Sequence, residues 1–420
     1  MTRPRALVVV TGSELVRGDR RDENGPFLAG ELVRLGLEPA RILVVGDGED
    51  ELAAALAEGL QAELCITSGG LGPTHDDRTV ELLARAAGAE LRVDDELRVQ
   101  IEGISRAVAE RLRRPYADFE PGVTKQATIP VGAESLGLAG TAPGLVLPTQ
   151  RGAAVVLPGP PRELQRLWPR ALESEAVRAV LARVSPREHR VLRFFGASES
   201  EIARALEGVE EPRGVDVTIC ARDFEIHVDV FGPGDGVADV LRERGARHLF
   251  AEDETPVEAI VLDACRGRGW RLATAESCTG GMVAQRITSV PGSSDVFVGA
   301  VVAYSNEVKA AELAVPEDVL QKHGAVSAET AAAMAGGVRE RLRADVAVAV
   351  TGIAGPGGGT DEKPVGLVHV HAETPEASRG VEFTYGADRE SVRRRATVAA
   401  LHLLRRMLVT DSARSRHEDA

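Results

Sequence analysis

The sequence predicts a multidomain α/β protein. Strand-length apolar runs alternate with helical patterns over roughly the first 170 of its 420 residues, and the alternation returns from about residue 255. Such a βαβ rhythm is typical of parallel sheets covered by helices. Between these regions, a strand, a helix and a hairpin pattern predict a small α+β module. We therefore expect an α/β/α domain at the N-terminus and a layered α/β domain at the C-terminus, joined by this module.

The individual elements are of ordinary length. In the first region, apolar runs predict strands at 6–10, 40–45 and 64–67, and helical spacing predicts helices at 24–35 and 49–59. The module is predicted from a strand at 191–195, a helix at 198–206, a hairpin of 216–221 and 225–231, and a helix at 237–245. The last region has apolar runs at 271–275, 295–303, 345–350 and 366–371. A glycine loop follows one strand in each large region, which predicts two separate sites.

The composition argues against several classes of function. The chain carries 50 Lys and Arg against 64 Asp and Glu, a net charge of −14, whereas nucleic-acid binding needs clustered basic residues. No apolar run approaches the length of a membrane span, and the N-terminus shows no apolar signal region. The four cysteines are scattered, which favours reduced thiols over disulfides or zinc ligands. We expect a cytoplasmic protein that binds neither nucleic acid nor membranes.

The segment 275–281, Ala-Glu-Ser-Cys-Thr-Gly-Gly, lies between a predicted strand and a predicted helix. The first N–H groups of a helix have no partner within the helix and stabilise anions. Ser277 is therefore a candidate nucleophile, and Thr279, Gly280 and Gly281 are candidates for binding a phosphate or an oxyanion. Ser277 alone is also explained as a helix cap, and Cys278 is either a second candidate nucleophile or a small buried residue.

Three further segments are expected beside this turn. Tyr304 and Lys309 follow the predicted strand 295–303, and the loop 351–359, Thr-Gly-Ile-Ala-Gly-Pro-Gly-Gly-Gly, follows the strand 345–350. The carboxyl ends of parallel strands meet in one crevice, where ligands bind. Within the loop, Gly355 and Gly357 are candidates for cradling a phosphate. Arg389, at the start of a basic helix, is suited to clamping the same phosphate.

A serine nucleophile needs a neighbouring base. No histidine lies in these segments, so Lys309 is the candidate base, provided that burial or a nearby charge lowers its pKa. Tyr304 is a candidate proton relay, and the sequence leaves open which of the two is the primary base. Considered without the other motifs, Lys309 is also explained as a solvent-exposed charge on a helix, and Tyr304 as a residue packed in the core.

These three motifs, in this order, resemble the signature of the CinA C-terminal domain family over residues 254–412. That family comprises nicotinamide mononucleotide (NMN) amidohydrolases. The resemblance implies that Ser277 is the nucleophile, that Lys309 and Tyr304 act as base and relay, and that Thr351 lines the oxyanion side. It also implies phosphate binding by Arg389 and hydrolysis of NMN to nicotinate mononucleotide and ammonia without a cofactor.

A second set of residues lies near the N-terminus. The segment 68–77, Ser-Gly-Gly-Leu-Gly-Pro-Thr-His-Asp-Asp, follows the predicted strand 64–67. Its glycines permit close approach to a phosphate, and paired carboxylates suit a divalent metal. The alternative is that the two aspartates cap the next helix. The candidate residues for substrate binding are Glu14, Asn24, Gly69, Gly70, Gly72 and Thr74, and those for metal binding are Asp76, Asp77 and Asp47.

Residues 1–172 resemble the molybdopterin-binding fold, and specifically the CinA N-terminal domain. The motifs that carry this resemblance are the segment 69–77, the run Gly-Thr-Ala-Pro-Gly at 140–144 and the run Leu-Pro-Gly-Pro-Pro-Arg-Glu-Leu at 157–164. The resemblance implies a metal-dependent ADP-ribose pyrophosphatase that uses Mg, Mn or Co. The chain departs from the family at 136–139, where Leu-Gly-Leu-Ala replaces a segment that usually contains an Asn.

The remaining module, residues 173–253, resembles the KH-like domain of the same family, and residues 413–420 are expected to be a disordered tail. The module lacks a Gly-x-x-Gly loop with basic flanks, which argues against RNA binding. The partners implied are the nucleotides NMN and ADP-ribose and a second copy of the chain in a homodimer. Two alternatives stay open: a molybdopterin-handling enzyme, and a non-enzymatic protein associated with DNA uptake or competence.

Overall fold

The computed structural model describes residues 4–184, 188–209 and 214–418. The chain divides into two compact units, residues 1–187 and 188–420, and each unit is described by itself. The first unit corresponds to the predicted N-terminal domain, and the second contains both the small module and the predicted C-terminal domain.

The first unit is built on a mixed sheet with strand order β2-β1-β3-β8-β7-β6. Strands β2, β1, β3 and β8 run parallel, whereas β7 and β6 pair antiparallel at one edge. The predicted parallel sheet therefore has an antiparallel edge, because β7 and β8 are joined by a turn at 149–152, too short for a parallel crossover. The strands are β1 Arg5–Thr11, β2 Glu38–Val45, β3 Leu64–Ser68, β4 Leu91–Val93, β5 Thr128–Pro130, β6 Glu134–Leu138, β7 Pro143–Pro148 and β8 Ala153–Leu157.

Helices cover both faces of this sheet, because β1, β3 and β8 are apolar on both sides. The helices are α1 Ser13–Val16, α2 Asn24–Arg34, α3 Glu49–Gly59, α4 Thr79–Ala87, α5 Asp95–Leu112, α6 Glu120–Gln126, α7 Pro161–Glu173 and α8 Glu175–Leu181. Val177 and Val180 of α8 are buried in the same core cluster as Trp168 of α7 and Val155 of β8. The N-terminal domain therefore extends past the predicted boundary at residue 172.

The second unit begins with the small module, whose sheet has the order β10-β11-β9-β12 and is antiparallel throughout. The predicted hairpin is confirmed as β10 and β11. The elements are β9 His189–Phe194, α9 Glu199–Ala205, β10 Asp216–Arg222, β11 Glu225–Phe231, α10 Asp235–Arg244 and β12 Leu249–Ala251. Ser198 and Glu201 form a reciprocal capping box that starts α9.

The rest of the second unit is a layered α/β domain with sheet order β14-β13-β15-β16-β17. Strands β14, β13 and β15 are parallel, so their carboxyl ends lie at one edge, as predicted. The last two strands are antiparallel, which corrects the expectation of a continuing βαβ rhythm. The strands are β13 Leu272–Glu276, β14 Phe297–Val302, β15 Val346–Gly352, β16 Leu367–Glu373 and β17 Ser378–Thr384.

The helices of this domain pack on both faces of the sheet. They are α11 Val257–Arg268, α12 Met282–Thr288, α13 Asn306–Leu313, α14 Glu317–His323, α15 Ala328–Arg341 and α16 Arg389–Glu418. Helix α16 is described as far as Glu418, residues 419 and 420 lie outside the described residues, and the disordered tail at 413–420 stays a prediction. Among the helices that the structure describes, none combines the length and apolarity needed to cross a membrane.

Candidate active site

The candidate nucleophile lies directly after strand β13. The Ser277 N–H donates to the Val350 carbonyl of β15 at 2.9 Å, which fixes the start of the turn. Gly280 and Gly281 follow with φ of 62° and 97°, a region that favours glycine. Ser277 is 8% exposed. Burial raises the pKa of the neighbouring Cys278 thiol to about 12, so that thiol stays protonated, which argues against Cys278 as the nucleophile.

The N–H groups at the start of helix α12 are paired with a carboxylate of the protein itself. Glu276 is fully buried, and its carboxylate accepts from the N–H groups of Gly281, Val283 and Ala284 at 2.9, 3.1 and 2.9 Å. These three N–H groups are therefore already paired with an anionic group of the protein, and the prediction that the turn binds a substrate anion has no support in these contacts.

Lys309 is the group that contacts the nucleophile. It lies on α13, which begins after the cap Ser305, and it is 1% exposed. Its Nζ donates to Ser277 Oγ at 3.1 Å and to the Ala303 carbonyl at 2.9 Å. Burial lowers the pKa of Lys309, since removing an ammonium from water disfavours its charged form. The geometry and the direction of the pKa shift both fit a general base.

Tyr304 occupies a different place from the one expected of a relay. The residue is 61% exposed, and its hydroxyl accepts a hydrogen bond from Arg389 Nη2 at 2.6 Å. Among the contacts of the described residues, no hydrogen bond joins Tyr304 to Ser277 or Lys309. The expectation that Tyr304 relays a proton between those groups has no support in these contacts.

The loop after β15 brings in the remaining predicted groups. Gly355 has φ of 82°, and a Cβ there would lie 2.6 Å from Val365 Cγ1, so only glycine fits. Its carbonyl accepts from Arg389 Nη1 at 2.6 Å. Thr351 is fully buried, and its hydroxyl donates to the Ala325 carbonyl at 2.7 Å. Thr351 therefore fixes the segment before α15.

These segments enclose one cavity of about 280 Å³. Ser277, Lys309, Tyr304, Thr351, Gly355, Gly357 and Arg389 all line it, as predicted. Thr279, Gly280 and Gly281 are not among the lining residues, so the cavity does not support their prediction as substrate contacts. A volume of this size suits a small organic ligand that remains partly open to water.

Sequence reasoning missed several residues that build this site. Ala325 and Val326 line the cavity although they lie in no motif. Lys363 Nζ donates to the carbonyls of His323 and Val326 at 2.6 and 2.7 Å, which holds that segment from the other side. Arg393 donates to the carbonyls of Cys278 and Thr279 at 3.1 and 3.0 Å and braces the nucleophile turn from α16. The only signal for Arg393 was its position one helical turn after Arg389.

The first unit has a cavity of about 550 Å³ at the carboxyl ends of β1 and β3. Glu14 and Asn24 line it together with Thr11 and Ser68, which confirms that the first and third strand ends face one crevice. Asn24 is buried, and its Nδ2 donates to Ser68 Oγ at 2.9 Å and to the Gly159 carbonyl at 2.7 Å. Asn24 therefore fixes the crevice wall.

The glycine loop lines a separate cavity of about 250 Å³. Gly70, Gly72 and Asp77 contribute to it, whereas Gly69, Thr74 and Asp76 line neither this cavity nor the first. A Cβ on Gly69 would lie 2.4 Å from the Thr11 carbonyl oxygen, so this glycine serves close packing of the backbone. The residues predicted to bind a nucleotide are therefore divided, since Glu14 and Asn24 line the larger cavity and Gly70 and Gly72 line the smaller one.

The predicted metal ligands are not brought together. Asp47 accepts from Thr11 Oγ1 at 3.1 Å, from the Ser13 N–H at 2.9 Å and from Ser13 Oγ at 2.7 Å. Asp77 accepts from the N–H and the hydroxyl of Thr74. Within the described ranges, no three His, Cys, Asp or Glu side chains are grouped as metal ligands. The prediction that Asp76, Asp77 and Asp47 bind a metal therefore has no support in this arrangement, in which Asp47 and Asp77 accept hydrogen bonds from N–H and hydroxyl groups of the protein.

Comparisons with known proteins cover both units. Residues 7–177 match the family model described as probable molybdopterin binding domain, and residues 254–408 match the CinA C-terminal domain. A CinA-like protein of Mycolicibacterium paratuberculosis is 42% identical over 431 residues, covering 96% of this chain and 98% of that protein. A CinA-like protein of Mycobacterium tuberculosis is 42% identical over 423 residues, covering 96% and 97%.

Among solved structures, the competence/damage inducible protein CihA from Agrobacterium tumefaciens is 40% identical to the part it matches. That match covers 37% of this chain and 97% of the other, with a TM-score of 0.35. The likeness to the mycobacterial proteins, by contrast, extends over nearly the whole chain.

Proposed function

The chain belongs to the CinA-like protein family, and on that premise we propose that its C-terminal domain is an amidohydrolase that converts NMN and water to nicotinate mononucleotide and ammonia. The observation that carries this proposal is the buried contact between Lys309 Nζ and Ser277 Oγ. A serine hydroxyl beside a lysine of lowered pKa is a known variant of the catalytic triad.

In the proposed mechanism, neutral Lys309 accepts the Ser277 proton as Oγ attacks the carboxamide carbon. The C–N bond of the tetrahedral intermediate then breaks, and Lys309 returns its proton to the leaving nitrogen, which departs as ammonia. A water molecule attacks the resulting ester, again with Lys309 as the base, and restores the Ser277 hydroxyl. The Ala303 carbonyl, the second acceptor on Nζ, keeps the amine aimed at Ser277.

The experiment is a measurement of ammonia release from NMN with a chelator present. The unmodified protein is compared with Ser277→Ala and with Ser289→Ala, a serine on the surface of the same domain. Release that is lost only in Ser277→Ala supports the proposal. Equal release from the unmodified protein and Ser277→Ala would reject Ser277 as the nucleophile, and no release from the unmodified protein would reject NMN as the substrate.

A second candidate function is hydrolysis of ADP-ribose by the first unit. The observation in its favour is the large crevice at Asn24, whose lining includes Arg20 and Arg21, two cations suited to a diphosphate. The divalent metal implied by the resemblance has no grouped ligands among the described residues, so we derive no step through it. AMP release from ADP-ribose, with and without Mg, Mn or Co, tests this function in the unmodified protein and in Arg20→Gln.

The same resemblance supports a cytoplasmic homodimer as the form of the protein. The four cysteines, Cys65, Cys220, Cys265 and Cys278, are free thiols, in keeping with a reducing compartment. Sedimentation equilibrium at micromolar concentration measures the mass directly, and a monomeric mass would reject the dimer.

A further inference from the structure

We propose that the backbone N–H groups of Ala325 and Val326 bind the oxygen of the carbonyl group that Ser277 attacks. Lys363 positions these two N–H groups from outside the cavity. This inference rests on the proposed function, because it concerns the same cavity, and it deepens that function by adding a recognition element. The element lies in none of the motifs that the sequence analysis singled out, and it consists of backbone groups alone.

Side chains of the protein hold all four peptide carbonyls of the segment 323–326. Lys363 Nζ donates to the first and to the fourth, at 2.6 and 2.7 Å. The hydroxyl of Thr330 donates to the second at 2.7 Å, and the hydroxyl of Thr351 donates to the third at 2.7 Å. Because each carbonyl has a donor on a different part of the domain, the orientation of every peptide plane in this segment is fixed.

The N–H groups of the same segment lack such partners. Among the residues that the structure describes, no protein acceptor pairs with the N–H of Ala325 or of Val326. A trans peptide directs its N–H away from its carbonyl, so these two N–H groups point away from the donors Thr330 and Thr351. Both residues line the cavity beside Ser277. An N–H group that lines a cavity without an acceptor in the protein is available to a ligand.

The oxygen of the attacked carbonyl is the acceptor that these groups fit. Ser277 Oγ and Lys309 Nζ form the reacting end of the cavity, and attack on a carboxamide turns its oxygen into an oxyanion. Thr351 was expected on the oxyanion side, but its hydroxyl proton is already donated to the Ala325 carbonyl. N–H groups on peptides that are fixed in advance stabilise a developing negative charge without having to reorient.

Lys363 acts through this wall and not on the substrate. It does not line the cavity, and it lies on the loop after β15, whose glycines 357 and 358 do. The Lys363 N–H donates to Thr360 Oγ1 at 3.0 Å, which fixes the backbone from which the side chain extends. Its two bonds from Nζ tie this loop to the segment 323–326. Lys363 is therefore a positioning residue.

The first test compares Lys363→Met with Lys363→Arg and, as a matched control, with Lys322→Met on the exposed α14. Without its two carbonyl contacts the wall is no longer fixed, so kcat for NMN should fall about 10-fold or more in Lys363→Met. KM should stay within about threefold and the pH profile unchanged, because the base Lys309 is not altered. Lys363→Arg keeps cationic donors and should restore most of the activity. Equal kcat in Lys363→Met and the unmodified protein would reject Lys363 as a positioning residue.

The second test removes an N–H group directly. Replacing Val326 by its α-hydroxy acid puts an ester oxygen in place of the N–H and leaves the side chain intact. The same replacement at Ala328, an exposed residue at the start of α15, is the control. We expect kcat to fall about 100-fold at Val326 and to change less than about twofold at Ala328. An unchanged kcat in the Val326 ester would overturn the proposal.

Binding of nicotinate mononucleotide, followed by calorimetry, separates this inference from the proposed function. If the unmodified protein binds this compound but releases no ammonia from NMN, the amidohydrolase is rejected. The carboxylate of nicotinate mononucleotide presents its oxygen where the carboxamide would, so binding that is weaker by about 10-fold in the Val326 ester still supports the proposal. Equal binding by the ester and the unmodified protein would reject it.

Discussion

Lys309 Nζ lies 3.1 Å from Ser277 Oγ, although the two residues are 32 positions apart in the chain. Each follows a different parallel strand, and the sheet brings the two strand ends side by side. The contact favours Lys309 over Tyr304 as the base, a choice that the sequence left open.

The first prediction concerns the pH dependence of catalysis. Burial lowers the pKa of Lys309, and only the neutral amine accepts a proton. Activity should therefore rise with pH and level off below pH 10.5, the ordinary value for lysine. Lys309→Arg stays charged, so we expect its kcat to fall by about 100-fold to 10,000-fold. Steady-state rates from pH 6 to 10 are the measurement, and Lys322→Arg, on the exposed α14, is the control.

The second prediction concerns the buried carboxylate of Glu276. Glu276→Gln removes charge from three hydrogen bonds and turns an amide donor towards N–H groups. We expect a loss of about 2 kcal/mol or more in the free energy of unfolding, together with a lower kcat. Urea unfolding measures the free energy of unfolding. Glu340→Gln, on an exposed position of α15, should change stability by less than about 0.5 kcal/mol, and an equal effect of both variants would contradict this role.

Much of the candidate site could be predicted from sequence because it depends on topology. Ser277, Tyr304 and the loop after β15 each follow an apolar strand, and parallel neighbours place such ends together. Arg389 was found from its position at a helix start. The glycine at position 355 marked a backbone that only glycine adopts.

The site predictions that the structure does not support have a common physical origin. A strand-to-helix turn predicts an anion site only if its N–H groups have no partner within the protein. A pair of aspartates likewise predicts a metal site only if their carboxylates are not already engaged. Glu276 occupies the first, and Thr74 and Ser13 engage Asp77 and Asp47. Whether a polar group is satisfied internally depends on side-chain packing, which the spacing of motifs does not record.

The third prediction concerns Thr351. Its hydroxyl donates to the Ala325 carbonyl, so Thr351→Val leaves a partly buried acceptor without this partner. We expect a loss of about 1–3 kcal/mol in stability and a kcat reduced about 10-fold, because Ala325 lines the cavity. Thr351→Ser keeps the hydroxyl and should retain most of both. A large loss in Thr351→Ser with little loss in Thr351→Val, measured by urea unfolding and ammonia release, would show that the methyl group matters instead.

The fourth prediction concerns acid stability of the second unit. Glu225 of the small module accepts from Arg193 Nη2 at 2.5 Å and lies 2.8 Å from His402 Nε2 on α16. Burial lowers the pKa of His402 to about 4. For Glu225, burial acts in the opposite direction, but hydrogen bonds with His227 and His402 and the charge of Arg193 lower its pKa.

Both lowered pKa values make the folded unit less stable as the pH falls. Between pH 6.5 and 4, the unfolded chain protonates His402 while the folded chain does not, and below pH 4.5 the same holds for Glu225. The unit should therefore lose stability as the pH falls from 6.5. His402→Gln removes the first titration, so its calorimetric Tm should fall less between pH 7 and 5 than that of the unmodified protein. His323→Gln, a histidine outside this network, should retain the full fall, and an identical fall in all three proteins would disprove the role of His402.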